Sequence, residues 1–203
     1  MSLSDFNFPA VSLPAILLVS LTSFVLLLAH HWRWMMVALA LQYVGVFILT
    51  AFSWPLEMAL VKLVAGWMVS AILGAGMALS TGSHDEADVR RLSSQILRFL
   101  FALLVGLAIY SNAPGLRVWL PKAGLEAVIG SMILMGMGLL HLGMSSHPFR
   151  VIVSLLTIFA GFEILYASLE ISTLVAALLA VINLGLAFVG VYLLVAPTVE
   201  AVE

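Results

Sequence analysis

The chain contains no cysteine, which excludes disulfides, thiolate metal sites and iron–sulfur ligation. Charge is scarce too: 9% of the 203 residues are Asp, Glu, Lys or Arg, where a soluble domain carries about a quarter. The formal net charge of −2 offers no basic field for nucleic acid. Met1 to Ala10 carries only Asp5 as a charge. It lacks the basic region of a signal peptide, so the first apolar segment is expected to remain as a helix. What fills the chain instead is hydrophobic, at 64% of residues and a mean hydropathy of +1.20. Such a composition predicts an integral membrane protein of the all-α polytopic class, because isolated segments in hydrocarbon must satisfy their own backbone.

Stretches of about 20 apolar residues are long enough to cross a bilayer. Seven can be drawn, roughly 10–29, 34–53, 56–79, 92–111, 123–144, 150–169 and 172–195. His30-His31, Ser53-Trp54-Pro55, the charged run Ser83 to Arg91, Asn112-Ala113-Pro114-Gly115, Ser145 to Pro148 and Glu170 to Ser172 separate them. The third connection alone is strongly hydrophilic. Its Ser83-x-x-Glu86 spacing reads either as a capping box that starts the fourth helix early or as a solvated loop. Arg33, Arg90, Arg91, Arg98 and Arg150 fall on or near one side of this topology, with Arg117 and Lys122 on the other. Since basic flanks stay cytoplasmic, the N-terminus is expected outside and Glu203 inside. Trp54 and Trp119 then fall at outer ends, and Trp32 and Trp34 at an inner end, where amphipathic rings favour the interface.

Sliding the chain against itself by 116 residues aligns His31–Ala51 with His147–Ala167 without a gap, and seven of the 21 positions are identical. Gly45 aligns with Gly161, whereas Phe47 aligns with Glu163. Two parallel three-helix units are therefore expected, 1–80 and 123–203, joined by 81–122 with a linking helix 4. The aligned glycines are expected to let helices approach closely.

Glu163 is the only charged residue between Val151 and Leu169. An ionised carboxylate in hydrocarbon costs at least a few kcal/mol, so it must face protein, water or a partner charge. It could titrate as a proton carrier or stay permanently protonated against a neighbouring helix. Lys62 sits about two turns into the third segment; it could pair with Glu163 if helices 3 and 6 met, but the simpler expectation is snorkelling to the outer interface. Glu170 follows Glu163 by seven residues, on the same face, and reads as the mouth of a water path or as a helix end in the headgroups. His141 precedes the inner loop by one turn and could pass protons from the His147/Arg150 region, or simply pack. Nearly alone among the apolar segments, it offers no pair to ligate haem. No Ser/His/Asp set, phosphate loop or metal-ligand cluster is visible, and no cofactor is implied.

The run Arg150-Val-Ile-Val-Ser-Leu-Leu-Thr-Ile-Phe-Ala-Gly161-Phe-Glu163-Ile-Leu-Tyr-Ala-Ser168 resembles helix 2 of the small three-helix subunit of respiratory complex I, chain 4L or K. The C chain of Mrp-type cation/proton antiporters belongs to the same family. The resemblance covers about residues 125–196, with an echo in 10–80. It implies a non-catalytic internal subunit of an ion-translocating assembly, with other membrane subunits as partners and protons or monovalent cations as cargo. Arg150 and His147 would stand at the cytoplasmic entry, and Glu163 would join the ion path, in an energy-transducing membrane. Complex I members usually carry a second carboxylate in helix 3, where this chain has Asn183. Asparagine can hydrogen-bond water but cannot hold a mobile proton as a carboxylate does. A non-conducting scaffold subunit and a small stand-alone transporter remain open as alternatives.

Overall fold

A computed structural model describes residues 8–80 and 92–200. Among these residues it has seven helices, each long and apolar enough to cross a membrane, and no strand. They are α1 (Phe8–Leu28), α2 (Trp32–Ala51), α3 (Leu56–Leu79), α4 (Leu92–Trp119), α5 (Leu125–Gly143), α6 (Pro148–Leu169) and α7 (Thr173–Glu200). The protein is a seven-helix polytopic membrane protein. The Ser83–Glu86 capping box and the charged run to Arg91 lie outside the described residues.

Hydroxyl side chains inside the spans bond back onto their own helices: Thr22 donates to Leu18 O, Thr50 to Val46 O and Thr157 to Val153 O. With no water at hand, this is how an isolated hydroxyl is satisfied in an apolar segment. The fourth helix departs from the expected end at residue 111 and runs on through Asn112-Ala113-Pro114-Gly115 to Trp119. Asn112 turns its amide back to donate to Ala108 O instead of starting a turn. Pro114 removes one backbone donor without ending the helix.

The central helices are α2 and α6, more than half buried along their spans, whereas α4 is about one-fifth buried. Helix α1 packs along α2 and α5 along α6; α3 lies against α2 and α7, while α4 flanks α5 and touches α1. Across the middle, α1 meets α5 and α2 meets α6. The two aligned glycines mark close helix approaches. A Cβ at Gly45 would fall 2.5 Å from Val19 Cγ2 and 3.5 Å from Ala15 O; one at Gly161 would fall 2.7 Å from Ser131 O and 2.8 Å from Met135 Cγ. Ala15 and Ser131, like Val19 and Met135, are separated by the same 116 residues as the glycines themselves.

At one end of the bundle, arginines cap helix carbonyls. Arg98 donates through Nη2 to Met144 O (2.9 Å) and through Nη1 to Leu27 O (3.5 Å), and Arg150 Nη2 donates to Ala29 O (2.8 Å). These are carbonyls left over where α1 and α5 finish, at the negative end of each helix dipole. The opposite end carries the turns after α2 and α6. There Trp54 Nε1 donates to Glu170 O (3.0 Å), and the Ser53 and Ser168 hydroxyls lie 3.5 Å apart.

Candidate functional site

The buried stripe of α3 runs Ala59, Lys62, Ala65, Gly66, Val69, Ser70, Leu73, Gly76 and Met77. Spacings of three and four residues place all of these on one helix face. Lys62 is thus directed into the bundle and is only 2% exposed. This corrects the expectation that it snorkels: its Nζ donates to Oε1 of Glu163, itself fully buried on α6, in a direct salt bridge. Asn183 of α7 donates through Nδ2 to the same oxygen at 2.8 Å. Three helices therefore converge on one carboxylate oxygen. The second, Oε2, has no protein partner.

Lys62 lies six residues from the start of α3 and Glu163 six from the end of α6, about 9 Å along each helix. Both positions lie within the apolar spans. Desolvating two charges there is costly, and their attraction offsets the cost only when the geometry is close and further hydrogen bonds are made. The Lys62–Glu163 contact and the Asn183 amide meet that requirement.

Above the pair, toward the Trp54 end, the space is packed. Trp54, in the turn between α2 and α3, is 3% exposed, its ring covered by protein. It clusters with Ala167 and Ala176, with Met58 and Tyr166 against them. Met58 is one turn from Lys62, and Ala167 one turn from Glu163. Trp54 meets Tyr166 edge-on with centroids 6.4 Å apart, and Phe162 stacks on Tyr166. The pair is sealed from this end by an apolar plug.

On the other side of Lys62 stands Tyr43 of α2. A Cβ at Gly66 would fall 2.1 Å from Tyr43 Cγ, so the ring occupies the space a side chain would fill. Its hydroxyl is buried without a protein partner, as are both amide atoms of the neighbouring Gln42. The sequence flagged neither residue. A single hydroxyl or amide among apolar neighbours is a weak signal, and the glycine one turn after Lys62 was the available hint to Tyr43.

The remaining candidates stand apart. Glu170 is exposed at the end of α6, where its backbone N–H bonds to Tyr166 O and its carbonyl receives Trp54. His147 is the exposed N-cap of α6 and makes no side-chain capping bond. Arg150 serves the carbonyl of Ala29, and His141 is buried in the last turn of α5. None of these four is hydrogen-bonded to Lys62, Glu163 or Asn183. A lateral groove of about 870 Å³ opens at the arginine end, lined by Phe24, Leu28, His30, His31, Trp34 and Phe99 among others. It includes no residue of the polar cluster. Among the described residues, no group of three or more His, Asp or Glu side chains could hold a metal ion.

Comparison with protein families, with curated proteins and with solved structures finds no match to this chain.

Proposed function

We propose that this chain is a membrane subunit of an ion-translocating assembly, in which the Lys62–Glu163–Asn183 cluster forms one station of a proton path. The observation that carries the reading is a fully buried carboxylate paired with a lysine from a second helix and an amide from a third. A proton can pass from Nζ of Lys62 to Oε1 of Glu163, turning an ion pair into a neutral amine and a carboxylic acid. Net charge stays zero in both states, so neither leaves an uncompensated ion in the low-dielectric interior. Asn183 remains bonded to the carboxyl group in either state without itself changing protonation.

The likeness of Arg150–Ser168 to helix 2 of complex I chain 4L/K and of the Mrp antiporter C chain supports placing it in a complex of that kind. The arginine end would then face the cytoplasm, as basic flanks do, in an energy-transducing membrane. Partner subunits would supply any redox chemistry.

A second reading is favoured by the apolar plug of Trp54, Ala167 and Ala176: the pair is a structural lock in a non-conducting scaffold subunit. Glu163→Gln separates the two, because it keeps the shape of the side chain and removes its titration. Proton or cation transport by the native assembly should fall at least tenfold; transport at the wild-type rate would leave the lock. Mild-detergent extraction with mass spectrometry of comigrating chains tests the assembly. Antiporter-like or quinone-reducing subunits are expected, and migration of the chain alone would remove that part of the reading.

A further inference from the structure

We propose that Tyr43, Glu163 and Asn183 together bind an ordered water molecule inside the bundle, and that Tyr43 positions this water as the first acceptor for a proton leaving Glu163. The water site stands on geometry alone, while its use as a proton acceptor rests on the proton-path reading above.

Three buried polar atoms in this region have no protein partner: the Tyr43 hydroxyl, Glu163 Oε2 and Asn183 Oδ1. Their residues are each at most 1% exposed, so bulk solvent does not serve them. Lys62 and Asn183 both donate to Oε1 of Glu163, which leaves Oε2 as the free face of the carboxylate. The Tyr43 ring is held against Gly66, one turn along α3 from Lys62 and away from the Trp54 plug. Lys62, one turn from Gly66, is bonded to Glu163, so the Tyr43 ring and the carboxylate are placed along the same stretch of α3.

Buried polar groups in folded proteins pair with protein or with ordered water. A buried water makes about three hydrogen bonds, and this trio offers three of the right kinds. The tyrosine hydroxyl can donate to the water oxygen, while Oε2 and Oδ1 can each accept one of the water's protons. When Glu163 is protonated at Oε2, that O–H bond breaks toward the water and a new O–H bond forms on it. The electron pair stays on the carboxylate, whose charge the protonated water balances while Lys62 remains the neutral amine. The opposite direction is closed by Trp54, Met58 and Ala167, so the water lies on the side where polar groups continue.

The test is infrared spectroscopy of the purified full-length chain in lipid, with the carboxyl band of Glu163 assigned by its loss in Glu163→Gln. Tyr43→Phe removes one oxygen and keeps the ring on Gly66. A bound water predicts that the Glu163 band shifts in Tyr43→Phe and that Tm falls by about 2–4 °C. An unmoved band, with Tm unchanged or raised by loss of an orphaned hydroxyl, overturns the proposal. Should Tyr43→Phe fail to fold, the wild type decides. Exchange from H2O to H2 18O must shift an O–H stretching band that Glu163→Gln abolishes, and absence of such a band overturns the site. These readouts need no transport: unchanged transport in Glu163→Gln would remove the proton-path reading, whereas the infrared bands report the water in either case.

Discussion

Helices α2 and α6 share a sequence register, similar glycine contacts and central positions, yet only α6 carries a charge in the core. Gly45 receives α1 as Gly161 receives α5, through partners the same 116 residues apart. Two residues beyond each glycine, the chemistry divides: Phe47 on α2, Glu163 on α6. The flanking helices do not repeat the site either. Lys62 is 2% exposed while Leu178, its counterpart at the same offset, is 53% exposed; the counterpart of Asn183 is the half-exposed Trp67. Backbone proximity is shared between the halves, but the polar cluster is assembled from α6 without its counterpart α2, and from non-equivalent positions of α3 and α7. A packing solution can thus be kept twice while a costly charge is kept once, where it has a partner.

The largest expected effect comes from removing that partner relationship. Glu163→Gln leaves Lys62 buried without its counter-charge, and breaking a buried pair from one side costs about 3–5 kcal/mol. Lys62→Met should cost a similar amount for the mirrored reason. The double variant Lys62→Met/Glu163→Gln carries no buried charge and should recover most of the loss, so that its thermal midpoint in detergent lies above those of both single variants. Transport, in contrast, should not return. Recovery of stability without transport separates the pair's contribution to folding from its contribution to conduction, whereas additive losses would show that the two side chains act independently.

Much of this arrangement is legible in the sequence. Glu163 stood out because no other charge shares its apolar stretch, and seven apolar runs give seven helices with ends shifted by a few residues, α4 apart. Lys62 was legible as a charge, and as a partner for Glu163 only on the condition that helices 3 and 6 meet. Whether a lysine near a helix end turns toward lipid or toward protein depends on the rotation of α3 about its own axis, which the bundle sets. The burial of Trp54 was not legible for a related reason: its place beside a turn could be read, but only the meeting of the two turns after α2 and α6 covers its ring. The fourth helix ran past its expected end because an asparagine, a proline and a glycine in succession resemble a turn. In hydrocarbon, an unbroken helix satisfies more backbone groups than a turn would.

The turns offer the next contrast. Trp54, after α2, reaches into the α6–α7 side, and the turn after α6 answers only with the backbone carbonyl of Glu170. Trp54→Ala removes a buried ring, a hydrogen bond and the edge-on contact with Tyr166, and about 3 kcal/mol is expected for such a truncation. Its diagnostic consequence is local. Amides near the end of α6, from Glu163 to Leu169, should exchange with deuterium faster than in the wild type, while those near Arg150 should keep their rate. Uniform acceleration along α6 would mean that the plug holds the whole helix rather than sealing one end.

The smallest expected difference probes what α2 and α6 share. Gly45→Ala and Gly161→Ala each introduce one methyl group at a close approach, and overpacking of this kind costs about 1–3 kcal/mol. The obstacles differ. At Gly45 the nearest atom is a side-chain methyl, Val19 Cγ2, with the α1 backbone farther off at 3.5 Å. At Gly161 it is the backbone oxygen of Ser131 at 2.7 Å, with Leu134 Cβ at 2.9 Å behind it. A side chain can yield by a small rotation, but a helix backbone yields only if α5 and α6 separate. Gly161→Ala should therefore lower the thermal midpoint more than Gly45→Ala, and it should also disturb Glu163, two residues on, and with it the pairing to Lys62. Equal losses at the two glycines would indicate that α1 is as firmly held as α5, and the division between the helices would then rest on the charged cluster alone.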